Sequence, residues 1–149
     1  TPSSTTFRVG GANGKNNASS KNYVTYCFTS IQGYSKFGSY TGNGNADGPF
    51  VYTGFKPAWL LIKNTAADAN WMLLDNKRDP FNDATPAYMD VDLNNAENTG
   101  SDAPIDFLSN GFKVRTSSSI RNPDGEIVVY MAFAESPFVS SEGVPTTAR

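Results

Sequence analysis

The chain of 149 residues is long enough for one domain with a buried core and short for two. Its 12 Lys and Arg residues against 14 Asp and Glu leave no basic excess, which argues against nucleic-acid binding driven by charge. The sequence contains no histidine, which excludes Ser-His-Asp and Cys-His catalysis and removes the commonest zinc ligand.

The polarity of this chain comes from uncharged residues. Charged residues make 17% of the sequence, whereas Asn, Ser, Thr and Gly together make 56 of the 149 residues. Aromatic residues at 13% argue against disorder. No apolar run approaches the ~18–20 residues of a membrane helix, so we expect no membrane insertion. This profile is typical of extracellular or virion β-proteins, and we expect neither a cofactor nor a metal.

Short β-rich runs recur along the chain, bounded by Gly, Asn, Asp and Pro, and no long window has helical periodicity. The runs predict strands at 7–9, 23–31, 36–40, 50–53, 58–63, 70–75, 105–108, 112–115 and 126–134. The sequence therefore predicts an all-β fold, an antiparallel β-sandwich of jelly-roll or lectin-like type with little helix.

Two features refine this prediction. The runs WLLI and WMLL do not alternate, so we expect them to be inner strands, covered on both faces and paired as a hairpin across NTAADA. The stretch 76–104 is polar and contains Pro80, Pro86 and Pro104. It predicts a functional or interface loop with a helical turn near 94–98.

An internal repeat is the strongest pattern. FRVGGANGKNNASSKNYVTYCF at 7–28 aligns without gaps on FKVRTSSSIRNPDGEIVVYMAF at 112–133. A shift of one residue would reverse every side chain between the two faces of a strand, so the shared spacing is informative. One face carries equivalent residues in each copy: Val24, Tyr26 and Phe28 in the first, and Val129, Met131 and Phe133 in the second.

The repeat sets our prediction for domain organisation. We predict one β-sandwich domain over 1–149, in which 1–35 resemble the end of an upstream repeat, 36–136 form the matching module and 137–149 are a C-terminal tail. Chance similarity between two hairpins is the alternative. Whether the first strands pair within the chain or with a neighbour stays open.

The loop GNGNADG at 42–48 has two interpretations, a ligand site and a turn. Its glycines lack the dinucleotide-binding spacing, and no helix is predicted after them. Asn43, Asn45 and Asp47 imitate the first half of a calcium loop, but Gly54 stands where the closing Glu should be, so an EF-hand is excluded. We predict a turn in which Asn and Gly adopt positive φ and Asp bonds its own backbone. A looser calcium or sodium site is the open alternative.

Other polar and aromatic residues have a structural interpretation beside a functional one. Several aspartates could supply the two carboxyls of a glycosidase, namely Asp75, Asp79, Asp90, Asp92, Asp102 and Asp106. We predict instead that Arg78 pairs with a nearby acid or bonds backbone carbonyls. Cys27, the single cysteine, lies in a predicted strand and is expected to be a buried, inert thiol. Aromatic rings with neutral polar partners are typical of sugar sites. The candidate ligand-binding residues are Tyr34, Tyr40, Asn43, Asn45, Asp47, Trp71 and Arg78.

A set of ordered motifs resembles a known family. TGFKPAWLLIKN, NWMLLDNKRDPFN, LNNAEN, IDFLSNGFKVRTS and EIVVYMAFAE, within residues 50–136, resemble a domain of unknown function that is common in virion proteins of tailed phages, especially marine ones. The resemblance implies a virion structural protein at the virion surface, in a fibre, tail appendage or capsid decoration. It implies no catalytic residues.

The function predicted from the sequence is therefore structural. We expect a non-enzymatic module that assembles with copies of itself or with other virion proteins, with a homotrimer as the most plausible oligomer, and that contacts the host surface. The alternatives are a glycan-binding or glycan-cleaving adhesin domain and a subunit of a non-viral extracellular filament.

Overall fold

The structure is a computed structural model that describes residue 3 and residues 5–10, 17–100 and 104–137. Nine β-strands and no helix occur in these residues. The strands are β1 (Ser35–Thr41), β2 (Phe50–Tyr52), β3 (Pro57–Asn64), β4 (Met72–Asp75), β5 (Ala87–Asp90), β6 (Asn98–Thr99), β7 (Ile105–Leu108), β8 (Gly111–Val114) and β9 (Ile127–Ala134).

The strands form two antiparallel sheets. Six strands make one sheet in the order β1-β9-β3-β4-β5-β6, and three make the other in the order β2-β8-β7. All pairs in both sheets are antiparallel. The predicted fold class is confirmed, because this arrangement is all-β and consistent with a β-sandwich.

The core lies between the two sheets and follows from the alternation of side chains along each strand. In β9, Val128, Tyr130 and Ala132 are buried, whereas the residues between them are only partly so. The ring of Phe112 from the three-stranded sheet meets Tyr40 and Tyr130 edge-on, at centroid distances of 6.0 and 5.3 Å. Alternating residues of the larger sheet thus pack on aromatic side chains of the smaller one.

The predicted hairpin of inner strands is confirmed, but the expected cover on both faces was wrong, because Leu61 and Leu73 are only partly buried on the face away from the core. β3 pairs with β4, with Leu60 opposite Leu74 and Leu61 opposite Leu73. Both strands lie inside the six-stranded sheet. Seven of the nine predicted strands therefore correspond to β1, β2, β3, β4, β7, β8 and β9.

Three further expectations were wrong. Residues 7–9 and 23–31 contain no strand, because their backbone finds no neighbouring strand among the described residues; only Ile31 makes an isolated bridge, to Ser35. The stretch 76–104 contains the short strands β5 and β6. No helical turn forms at 94–98, because the chain there runs extended into β6.

Candidate functional site

The six-stranded sheet carries apolar side chains on the face that points away from the core. Residues opposite each other in an antiparallel pair share a face. By this rule Trp59 lies with Phe133, and Leu61 with both Met131 and Leu73. We define the outer face as Phe37, Trp59, Leu61, Leu73, Met89, Val129, Met131 and Phe133, all of which are partly exposed. A sheet face in contact with water is ordinarily polar, so this face is a candidate contact surface.

A segment at the N-terminal side packs on one end of this face. We define the N-terminal arm as residues 21–30, all of which are exposed. The Phe28 ring stacks on Phe37 at a centroid distance of 6.0 Å and meets Phe133 edge-on at 5.9 Å. On the N-terminal side of Phe28 the arm is exposed to solvent, with Val24 and Tyr26 each 80% exposed. Cys27 is exposed as well, so the expectation of a buried thiol was wrong, since the arm is not part of a sheet.

Strand β1 is one of the two edge strands of the six-stranded sheet. The Phe37 N–H donates to Ser30 Oγ rather than to β9, while the Gly42 N–H donates to the Glu126 carbonyl. Backbone groups alternate in direction along a strand, so Ser39 and Thr41 share the outward direction of Phe37. Among the described residues, no strand pairs with this side of β1.

The loop at 42–48 is held by a buried asparagine that the sequence analysis did not single out. Asn122 is 0% exposed. Its Nδ2 lies 2.8 Å from Asn43 Oδ1, from the Asn45 carbonyl and from the Thr116 carbonyl, and its Oδ1 accepts the Asn43 N–H at 2.9 Å. The match between Asn17 and Asn122 in the repeat was the signal that could have identified it.

Within this loop, the predicted turn is confirmed with different roles for its residues. Asn43 Oδ1 accepts the Asn45 N–H, and Asn45 Oδ1 accepts the Asp47 N–H, so the asparagines and not Asp47 make the side-chain turns. Gly44 has a φ of 61°, whereas the asparagines keep negative φ. At Gly42 a Cβ would collide with the Pro123 carbonyl oxygen, so close backbone approach requires glycine there.

Asp47 is part of an ionic group on the three-stranded sheet. Lys113 Nζ lies 2.8 Å from Asp47 Oδ1, and Arg115 bridges towards Asp47 and Asp106 at 3.9 and 3.5 Å. Hydrogen bonding from Lys113 holds the pKa of the Asp47 carboxyl below its usual value. In the part of the chain that the structure describes, no group of three or more His, Cys, Asp and Glu side chains is placed to hold a metal.

A second polar cluster lies buried at the end of the core. Arg121 Nη2 is 3.8 Å from Asp90 Oδ1, and its guanidinium lies 5.6 Å from the centre of the Tyr88 ring. Asp90 also accepts a hydrogen bond from Asn98. Tyr40 is buried here, and its hydroxyl donates to the Arg121 carbonyl at 2.7 Å. Burial raises the pKa of the Tyr40 hydroxyl. Arg121 and Asp90 had no recognisable sequence signal.

The remaining candidates are scattered. Tyr34 is exposed in the turn before β1, where its ring meets Phe133 edge-on. Trp71 is exposed just before β4, and its backbone N–H donates to Asp92 Oδ1. Arg78 pairs with Asp75 and Glu97, as the ion-pair prediction expected. The structure therefore groups Asn43, Asn45 and Asp47 in one loop and keeps the other candidates apart.

The fold and these surfaces define a class, an all-β domain of two antiparallel sheets with an apolar outer face. Residues 1–137 match the family described as a domain of unknown function, DUF7483, and the chain belongs to this family. The match includes the N-terminal arm. No curated protein and no solved structure matches the chain. In the described residues, no helix has the length and apolar character to cross a membrane.

Proposed function

We propose that this chain is a non-enzymatic structural module of a phage virion, in a fibre, tail appendage or capsid decoration. It assembles with copies of itself or with other virion proteins, at the virion surface, where it also contacts the host. The viral setting is supported by the ordered motifs in residues 50–136. The assembly role is supported by the outer face.

The outer face is the single observation that carries the proposal. It brings together three aromatic rings, Phe37, Trp59 and Phe133, where the solvent side of a sheet is ordinarily polar. Removing such a surface from water favours association roughly in proportion to its apolar area. An obligate partner, such as the neighbouring subunits of a homotrimer, would cover it.

Two carboxyl groups are poor candidates for the general acid of a glycosidase, which needs a raised pKa. Hydrogen bonding from Lys113 and from Lys56 lowers the pKa values of Asp47 and Glu135 and so favours the charged carboxylate in each.

The test is the oligomeric state of the chain, measured by size-exclusion chromatography with light scattering over a range of concentrations. We expect a discrete oligomer that Leu61→Lys converts to monomer. Lysine should be tolerated there, because Lys63 already lies on the same face of β3. Phe81→Lys, at an exposed loop position outside the face, is the matched control. A wild-type monomer at all concentrations would overturn the proposal.

A glycan-binding adhesin is the second candidate, favoured by the outer side of the three-stranded sheet. Phe50 lies opposite Lys113, which lies opposite Asp106, so an exposed ring and polar groups share this side. Tyr52, on the same side, is 65% exposed. A cavity of about 370 Å³ lies at the other edge of this sheet, lined by Asp106 of β7, Arg115 and Asn82 among others. Stacking of a ring on a sugar with polar groups around it is a common mode of glycan binding.

Glycan-array binding that Tyr52→Ala abolishes would favour the adhesin over the assembly role. Hydrolysis of a glycan that Asp106→Asn abolishes would support a cleaving adhesin. A non-viral extracellular filament would show the same self-association, and electron microscopy of the assembled particle distinguishes it from a virion appendage.

A further inference from the structure

The N-terminal arm has the side-chain pattern of a strand but no strand partner. By the repeat, Val24, Tyr26 and Phe28 correspond to Val129, Met131 and Phe133, the residues that β9 places on the outer face. In the described part of the chain, no backbone group of residues 21–28 makes a hydrogen bond to another backbone group. Exposed extended backbone of this kind is suited to strand addition.

The edge of β1 offers the matching acceptor. Its other side already pairs antiparallel with β9, the strand that the arm resembles. Ser39 and Thr41 direct their backbone groups away from β9, as the Phe37 N–H does. The directions of the side chains also match. Ser39 lies opposite Val129 of the outer face, and Thr41 lies opposite Ile127 on the same side of the sheet.

The arm does not occupy this edge in its own chain. The hairpin that begins at the Ile31–Ser35 bridge ends at once, because Ser30 Oγ and not a backbone carbonyl accepts the Phe37 N–H. The Phe28 ring then fixes the chain over the outer face, against Phe37 and Phe133. Among the described residues, no backbone hydrogen bond joins the arm before Phe28 to Ser39 or Thr41 of the same molecule.

We propose that the arm of one copy adds as an antiparallel strand to the β1 edge of a second copy. Because Ser30 and Ile31 of the second copy occupy its edge at Phe37 and Ser35, Ser39 and Thr41 are the positions left for the incoming strand, and we propose the register that places Tyr26 beside Ser39 and Val24 beside Thr41. Tyr26 and Val24 then extend the outer face by one strand.

The opposite face of the arm fits an edge position. Thr25 and Cys27 correspond in the repeat to Tyr130 and Ala132, the inward residues of β9. The small sheet packs on β9 but has only three strands, so a strand beyond β1 has little sheet to cover its inner side. Small side chains suit that position, where large apolar ones would be exposed.

This inference rests on the proposed assembly function, and its test separates the two. Tyr26→Asp places a charge on the incoming strand, and Ser39→Pro removes an outward N–H that β9 does not use. Both should raise the concentration needed for assembly by roughly tenfold, Ser39→Pro because a backbone hydrogen bond is lost and Tyr26→Asp because a charge enters the contact. Phe81→Asp, at an exposed aromatic position in a loop outside the arm and the β1 edge, is the matched control and should leave assembly unchanged.

Two further measurements detect the contact in the wild-type chain. On assembly, hydrogen exchange of the Ser39 and Thr41 amides should slow, and labelling of Cys27 by a thiol reagent should slow with it. Circular dichroism checks that each variant folds. If Ser39→Pro does not fold, Tyr26→Asp still tests the contact, because Tyr26 is mostly exposed.

The outcomes are distinguishable. Assembly that resists Tyr26→Asp and Ser39→Pro but is lost in Leu61→Lys would overturn the arm contact and leave the assembly role intact. Unchanged exchange at Ser39 and Thr41 on assembly would also overturn the arm contact. A monomeric wild-type chain would overturn both.

Discussion

Asn122→Ala tests whether a single buried amide holds the loop at 42–48 on the sandwich. The substitution removes the acceptor of the Asn43 N–H and the donor to the Thr116 carbonyl. Thr116 is buried, and the Asn43 bond is partly buried, so water cannot fully replace either bond. At about 1–3 kcal/mol for each of these two groups left unsatisfied, we expect the free energy of unfolding to fall by roughly 2–6 kcal/mol. That is a large share of the ~5–15 kcal/mol that stabilises a domain of this kind.

The assay is urea unfolding followed by the fluorescence of Trp59 and Trp71 and by circular dichroism. A shift in midpoint at constant slope would report a loss of stability without a change in the surface exposed on unfolding. Asn122→Asp should be at least as harmful, because its second carboxylate oxygen would face the Asn45 and Thr116 carbonyl oxygens, which now accept hydrogen bonds.

The repeat supplies a matched control. Asn17 aligns with Asn122 but is exposed, and the hydrogen bond that its side chain makes within the described residues is to the Gly10 carbonyl. Asn17→Ala should change the free energy of unfolding by less than about 0.5 kcal/mol. Equal small effects at both positions would refute the reasoning, because they would mean that the Asn122 bonds are replaced by water.

Three further predictions follow from close contact and from ionisation. Gly42→Ala should cost about 1–3 kcal/mol of stability, since the Pro123 backbone must move to admit a Cβ; thermal unfolding measures this. Burial raises the pKa of Tyr40, so stability should fall as the pH rises above 10.0, the usual value, and Tyr40→Phe should reduce that slope in urea unfolding. The lowered pKa of Asp47 means that its contribution to the free energy of unfolding is present above the usual pKa of 3.8 and is lost as the pH falls through the folded-state pKa. Lys113→Gln should remove this acid dependence, which urea unfolding between about pH 2 and 5 measures.

The strands that could be predicted from sequence are those whose pattern matches their surroundings. The apolar runs of β3 and β4 have partners on both sides within the sheet, and β9 alternates because one face meets the core. β5 and β6 were missed because they lie among polar residues, whereas β2, β7 and β8 are equally short but carry apolar side chains that indicate a strand. A short strand in a polar stretch owes its conformation to a neighbouring strand, which local propensity does not reveal.

The polar sites were predictable only in part, for a similar reason. The composition of GNGNADG predicts a turn, and Asn43 and Asn45 make it with local hydrogen bonds. Asn122 and Arg121, in contrast, act on residues that are distant in the sequence. Nothing in a local pattern indicates which distant residue an isolated Asn or Arg will contact.

The N-terminal arm shows what an alternating pattern can and cannot predict. Alternation specifies two faces of an extended segment, and it does so equally in the arm and in β9. It does not specify a neighbour, and of these two segments β9 alone pairs with strands among the described residues, namely β1 and β3. The inward residues of β9 are Val128, Tyr130 and Ala132, which fill the core, whereas the arm offers Thr25 and Cys27 at the last two of these positions. The arm therefore could not replace β9 in a sandwich without leaving a cavity in the core, and an edge position is the one that its side chains could occupy without that cost.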